Sequence, residues 1–339
     1  MEGTWTADGI YAGGDARQRY HDARGYGVPA DDGGILLKPV EAAHLLYRDD
    51  LDSVDGDDFA QFLSTVTQQS FLTEFVVYQD LRARGFYLRP LEDTDRHTFA
   101  VFERGSGPTE GQIAYHINVI DERAEMTAGD LTEGVLAVVD EEAEVGYIGI
   151  EQTRPEGGAR SEPSGPITGA LVGKRVVIWD PPSELYTDHF YGQPISGRDA
   201  FDDVLQLSIV EARYLVERGI LEIDVPSERL LEVGRSLEGH QFDRRFTAYR
   251  FLRESGAVPK TGYKFGADFR VYRSFNSLDD MGHSALLIRV IEPDAIVRPQ
   301  ALALDVRLAH GVGKRMVFAR SEANDDRSID WLSIERVTP

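Results

Sequence analysis

Tyr272, His283 and Lys314 follow one another at intervals of 11 and 31 residues near the carboxy-terminal end of a 339-residue sequence. A phenol, an imidazole and an ammonium suffice to cleave an RNA phosphodiester without a metal, provided the neighbouring 2′-hydroxyl is the nucleophile. One group must take the hydroxyl proton. A tyrosine can do this where a nearby cation lowers the phenol's pKa from its usual value of about 10. A second group must protonate the departing 5′-oxygen, which suits an imidazole titrating near neutrality. A fixed cation must balance the charge that builds on the phosphoryl oxygens, and Lys314 is the candidate.

A run of strands must hold these groups. Tyr272 closes the apolar stretch from Phe269, His283 opens the strand pattern Ser284–Ile291, and Lys314 precedes Arg315–Ala319. The segment from Ala303 to Ala309 also reads as a strand, as does Trp331–Ile334. Upstream the period is helical. Leu207, Val210, Tyr214 and Leu215 share one face, and Phe242, Phe246, Tyr249 and Leu252 share another, with Gly256 placed to end the second helix. Helices followed by strands indicate an α+β (mixed α/β) fold with mixed or antiparallel sheets.

The chain repeats itself. Leu37–Leu46, containing Val40-Glu41-Ala42, aligns with Leu207–Val216, containing Val210-Glu211-Ala212. Phe71, Phe75, Tyr78, Leu81 and Gly85 recur as Phe242, Phe246, Tyr249, Leu252 and Gly256. Tyr26-Gly27-Val28-Pro29 matches Tyr191-Gly192-Gln193-Pro194, and Ile117–Ile120 matches Ile288–Ile291. Four matches in one order define two tandem homologous repeats. Each repeat reads as a helix-rich N-terminal subdomain followed by a helix-and-mixed-sheet nuclease-like subdomain. The expected boundaries are 1–68 and 69–152 for the first repeat, a Pro/Gly/Ser-rich linker over 153–167, then 168–239 and 240–339 for the second.

Composition narrows the class. The formal net charge is −22, and of 36 basic side chains only five are lysine. An acidic, lysine-poor surface suits solubility in concentrated salt. Nucleic acid stays open as a partner, because screening at molar salt shortens charge repulsion to about 3 Å. The charge is also divided unevenly. Residues 1–165 carry 13 basic and 32 acidic side chains, against 23 and 26 in residues 166–339, so a polyanion would meet the second half. With no cysteine there is no disulfide, thiolate metal site or cysteine nucleophile. No apolar run approaches a membrane span, and the start lacks a signal-peptide pattern. A cytoplasmic globular protein is expected.

The stretch Gly262-Tyr263-Lys264-Phe265-Gly266-Ala267-Asp268-Phe269-Arg270-Val271-Tyr272, the His283-Ser284 start, and Val306–Arg315 ending in Gly313-Lys314-Arg315 together resemble the archaeal tRNA-splicing endonucleases. The tandem-repeat, homodimeric branch of that family, here in a salt-adapted form, matches the whole chain in organisation. The resemblance implies cutting of precursor tRNA at a bulge–helix–bulge element, leaving a 2′,3′-cyclic phosphate and a 5′-hydroxyl, with no metal or other cofactor. It implies Tyr272, His283 and Lys314 as the catalytic residues, precursor tRNA as partner, a homodimer, and no role for DNA or membrane.

The first repeat lacks this chemistry. At shifts of 170 and 171, Tyr272 falls on Phe102, His283 on Gln112 and Lys314 on Glu144. One catalytic site per chain follows. The resemblance also implies that the acidic loop Asp140, Glu141, Glu142 and Glu144 of the inactive repeat inserts into a basic pocket of the partner subunit. Arg307 and Arg336 are implied as the pair that sandwiches a flipped-out bulge base. The ordinary readings are a solvated acidic loop and two surface arginines. His310 reads as a loop-shaping residue and Asp268 as support beneath the Tyr272 strand. The glycines from Gly262 to Gly266 lack the lysine-hydroxyl ending of a phosphate loop. A non-catalytic RNA-binding subunit of a splicing complex is the alternative, and the intact Tyr, His and Lys set argues against it.

Overall fold

The computed structural model describes residues 1–92, 97–107, 111–158, 162–197, 204–275, 277–278, 282–321 and 329–339. Part of the expected linker (159–161) and most of the loop after Ser321 (322–328) lie outside these residues.

A ten-stranded sheet among the described residues forms the spine. From one edge its strands are Val258–Thr261, Phe269–Tyr272, Leu286–Ile291, Arg315–Arg320 and Asp330–Arg336. The other half continues with Val145–Gln152, Gly134–Val139, Ile113–Asp121, Phe99–Phe102 and Leu88–Pro90. The order in the second half mirrors that in the first, which is the duplication made visible. The two copies join where Asp330–Arg336 pairs antiparallel with Val145–Gln152, Ile150 facing Ile334.

Within each copy only the third and fourth strands run parallel: Leu286–Ile291 with Arg315–Arg320, and Ile113–Asp121 with Gly134–Val139. Parallel neighbours need a crossover. In the second copy helix Pro299–Gly311 supplies it, whereas in the first a single turn, Ala128–Asp130, bridges the gap. This corrects the strand expected over 303–309. Leu302, Val306 and Ala309 are buried at helical spacing, and Pro299 opens the helix where its missing N–H costs nothing. Leu304 and Leu308, which suggested alternation with Val306, are about half exposed.

The helix expected around Val210 runs from Ile209 to Glu217. Ser208 caps it, its hydroxyl accepting from the Glu211 amide (3.2 Å) while the Glu211 carboxylate accepts from the Ser208 amide (3.0 Å). Leu207 belongs to the preceding strand, Val204–Leu207, instead of the helix. Helix Gln241–Glu254 buries Phe242, Phe246, Tyr249 and Leu252 and ends with Gly256 at φ +76°. Each N-terminal subdomain sets a five-stranded sheet beside its helices, with the same strand order in both copies.

Two cores fill the copies separately. A third lies on the opposite face of the long sheet, where Leu136, Val138, Ile148 and Ile150 of the first copy pack with Leu287, Met316, Phe318, Leu332 and Ile334 of the second. Leu302, Val306 and Ala309 cover it. No helix among the described residues is long and apolar enough to cross a membrane.

Candidate active site

Strand directions bring the three chemical residues to one end of the sheet. Phe269–Tyr272 runs antiparallel to Leu286–Ile291, so Tyr272, at the end of its strand, lies beside the start of the next. Leu286–Ile291 and Arg315–Arg320 run parallel from aligned starts, Leu286 facing Arg315. His283 therefore precedes one strand and Lys314 the other at the same margin. The alignment continues past the regular strands, since the Ala285 amide donates to the Val271 carbonyl (2.9 Å) and the Arg315 amide to the Ala285 carbonyl (3.0 Å).

The two faces of the strand are occupied differently. Arg270 pairs with Leu287, which belongs to the core under helix Pro299–Gly311, and Lys314 stands two positions before Met316 of that core. The Tyr272 ring packs into the core on the other face, with Val271 and Phe275. Gly313, at φ +65°, makes the tight exit from the helix, and the Lys314 amide donates back to the Ala309 carbonyl (2.9 Å). The Lys314 ammonium donates to the Ser284 carbonyl at 2.8 Å and lies 5.6 Å from the centre of the Phe265 ring. Its two remaining protons can meet phosphoryl oxygens. The His283 side chain is exposed, as a proton donor to a docked substrate must be, whereas Tyr272 is buried along its ring.

Arg270 went unnoticed as a site residue in the sequence. Its guanidinium carbon lies 5.9 Å from the Tyr272 ring centre, and its Nε is buried without a hydrogen-bond partner. The i, i+2 spacing on a strand was the available signal. Asp268 accepts from the Val290 amide (2.8 Å) and pairs with Arg245 (2.9 Å), bracing the strand start.

Arg336 ends the strand next to Arg315–Arg320. Met316 faces Ile334, so the register carries Arg336 alongside Lys314. Arg307 lies on the exposed side of helix Pro299–Gly311. Among the described residues, every other arginine has a carboxylate, carbonyl or aromatic partner; these two have none.

The strand register corrects one correspondence. Phe99 faces Ile117 as Phe269 faces Ile288, which keeps Phe102 at the place of Tyr272; a register shift between Val101 and Phe102 then adds a residue on the neighbouring strand, so the pairing does not extend to Gln112 and His283. Ile117 faces Val135 as Ile288 faces Val317, so Lys314 corresponds to Thr132 and not to Glu144. The missing helix shortens the first copy before this point, and an ungapped comparison overshoots. Thr132 is uncharged, and the first copy lacks the ammonium all the same.

Glu144 instead lies in the turn between Gly134–Val139 and Val145–Gln152. There Asp140 accepts from the amides of Glu142 (2.9 Å) and Glu144 (2.8 Å), and Glu141 pairs with Arg123 (2.5 Å). Asp140 therefore shapes the turn. Glu142 and Glu144 are exposed, and neither has an ion-pair partner among the described residues.

A duplicated α+β chain with one chemically equipped copy is the class that this geometry defines. Comparison with known proteins gives the family. The tRNA intron endonuclease N-terminal domain profile matches twice, at residues 1–66 and 167–235, and the catalytic C-terminal domain profile matches residues 242–331. A tRNA-splicing endonuclease of Halobacterium salinarum is 49% identical over the full length of both chains, and one of Haloarcula marismortui is 48% identical over the full length of both. One of Methanosarcina mazei is 34% identical over 97% of each chain. The chain belongs to the tRNA intron endonuclease family.

Proposed function

We propose that this protein excises introns from precursor tRNA at bulge–helix–bulge elements. Tyr272 takes the proton of the 2′-hydroxyl at the cut site, and the freed oxygen attacks the adjacent phosphorus. His283 protonates the 5′-oxygen as its bond to phosphorus breaks, and Lys314 balances the charge on the non-bridging oxygens. The products are a 2′,3′-cyclic phosphate and a 5′-hydroxyl, formed without metal or other cofactor.

The observation that carries this reading is the gathering of Tyr272, His283 and Lys314 at one sheet margin, where the other copy has Phe102 in place of the phenol and Thr132 in place of the ammonium. Arg307 and Arg336, the two arginines left without partners among the described residues, are available to stack on an unpaired base, a contact that tolerates salt better than simple charge pairing. The assembly is a homodimer, working in the cytoplasm, with the acidic turn at Glu142 and Glu144 as the latch to the partner.

The deciding experiment incubates the protein with a bulge–helix–bulge RNA in EDTA and identifies the product ends. Cyclic phosphate and 5′-hydroxyl ends are expected. Replacing the cut-site 2′-hydroxyl by hydrogen should abolish cutting; continued cleavage overturns the mechanism, and no cleavage of the unmodified RNA by folded protein overturns the function.

A further inference from the structure

We infer that Phe190 and Phe275 form an aromatic clamp that aims the Tyr272 hydroxyl, making Phe190 a positioning residue contributed by the N-terminal subdomain. The inference rests on the catalytic reading of Tyr272 given above.

Tyr272 needs such a device. Among the described residues its hydroxyl has no hydrogen-bond partner, so contacts to its ring set its direction. Phe190 meets that ring edge-on, with centroids 5.7 Å apart and planes inclined by 66°. Phe275, three residues beyond Tyr272, stacks on Phe190 at 5.0 Å with planes within 9°. Edge-on and stacked geometries are the favoured aromatic arrangements, and each holds a ring more narrowly than aliphatic packing does.

The backbone at Phe190 is held under strain. Its φ is +53°, a left-handed conformation that a bulky side chain rarely adopts. Surrounding contacts enforce it. The Phe190 carbonyl accepts from the Lys260 ammonium (3.2 Å) and from Arg253 Nη2 (3.4 Å), and the same ammonium lies 4.9 Å from the Phe190 ring centre.

The inactive copy provides the internal control. The Phe190 amide donates to the Tyr186 carbonyl and the Tyr191 amide to the Leu185 carbonyl. In the first copy the Gly25 amide donates to the His21 carbonyl and the Tyr26 amide to the Tyr20 carbonyl. The same two bonds close the turn in both copies, and the residue at Phe190's place is Gly25, at φ +67°. At Phe275's place, by the register that pairs Phe102 with Tyr272, stands Gly105. Both rings that touch each other beside the phenol are glycine where the phenol itself is missing. A ring has replaced the residue this backbone prefers only in the copy that has a tyrosine to aim.

A double-mutant cycle tests this. Phe190→Leu and Phe275→Leu are each made alone and combined with Tyr272→Phe, and single-turnover cleavage of bulge–helix–bulge RNA is measured beside thermal unfolding. Binding of an uncleavable 2′-deoxy RNA is followed in parallel. Each leucine variant should slow cleavage by about tenfold to a hundredfold, as small misplacements do. Binding should be unchanged, and neither leucine should have a further effect in the Tyr272→Phe background. Wild-type cleavage rates in the folded leucine variants overturn the inference. So does slowing of the same size with and without the tyrosine hydroxyl, which is the signature of general loosening. If Tyr272→Phe alone cuts at the wild-type rate, it is the catalytic reading of Tyr272 that falls, and the clamp with it.

Discussion

The ammonium of Lys314 donates to the main-chain carbonyl of Ser284 across 2.8 Å, tying the residue after His283 to the end of helix Pro299–Gly311. One side chain thus presents a positive charge and pins the segment that holds the imidazole. Lys314→Ala should lower the single-turnover rate by roughly 10²–10³, the scale of losing one electrostatic donor in a site. It should also raise amide hydrogen exchange around Ser284 to Leu286. A rate loss with unchanged exchange would mean that the tether contributes nothing.

His283→Ala should cost on the order of 10²–10⁴ in rate if the imidazole protonates the leaving oxygen. An RNA with sulfur in place of the bridging 5′-oxygen has a leaving group that departs without a proton. On that substrate the variant should regain nearly the wild-type rate. An equal deficit on both substrates would give His283 some other role.

The buried pair Glu211–Lys260 anchors the N-terminal subdomain to the edge strand of the catalytic sheet, with 2.7 Å between the charged groups. Burial alone would raise the Glu211 carboxyl, but the Lys260 ammonium and the Ser208 donors hold it down at about 2. Glu211→Gln leaves Lys260 buried without its counter-charge and should cost about 3–5 kcal/mol in denaturant unfolding. The folded pKa lies below the unfolded value near 4.3, so the wild-type advantage is complete above that value. It should fade as pH falls toward 2. A pH-independent gap would show that the pair is not ionised.

Glu142→Gln with Glu144→Gln removes two exposed charges and leaves the Asp140 turn intact. If the loop is the latch of the proposed homodimer, sedimentation should show a dimer for the wild-type protein and monomers for this variant. An undiminished dimer would rule out this loop as the latch.

Arg307→Ala and Arg336→Ala should each weaken binding of the bulged RNA about tenfold, with little change in the salt slope, since stacking is screened less than charge. Lysine at either position should not restore binding, because it lacks the planar face. Full rescue by lysine would show that charge alone matters.

The chemistry proposed for the site could be framed from the sequence because Tyr272, His283 and Lys314 come in the order and at the intervals of a known family, and because the other repeat lacks them. Helix Pro299–Gly311 was not legible there. Its exposed Leu304 and Leu308 mimic a strand's alternation around Val306, and only the third core shows which apolar residues face inward. The Lys314–Thr132 correspondence depends on a deleted helix, which residue matching without gaps passes over. The five-stranded sheets of the N-terminal subdomains are built from strands of two to six residues, too short for a clear period. Phe190 and Phe275 look like ordinary core aromatics in the sequence; a left-handed backbone and a pair of glycines in the other copy set them apart.

The seam between Asp330–Arg336 and Val145–Gln152 covers a strand edge of the catalytic repeat. Severed from its twin, the catalytic repeat would present a bare seven-residue margin carrying Trp331, Leu332 and Ile334, a ready template for adhesion between molecules. The first repeat thus shields an adhesive margin of its sibling within the same chain.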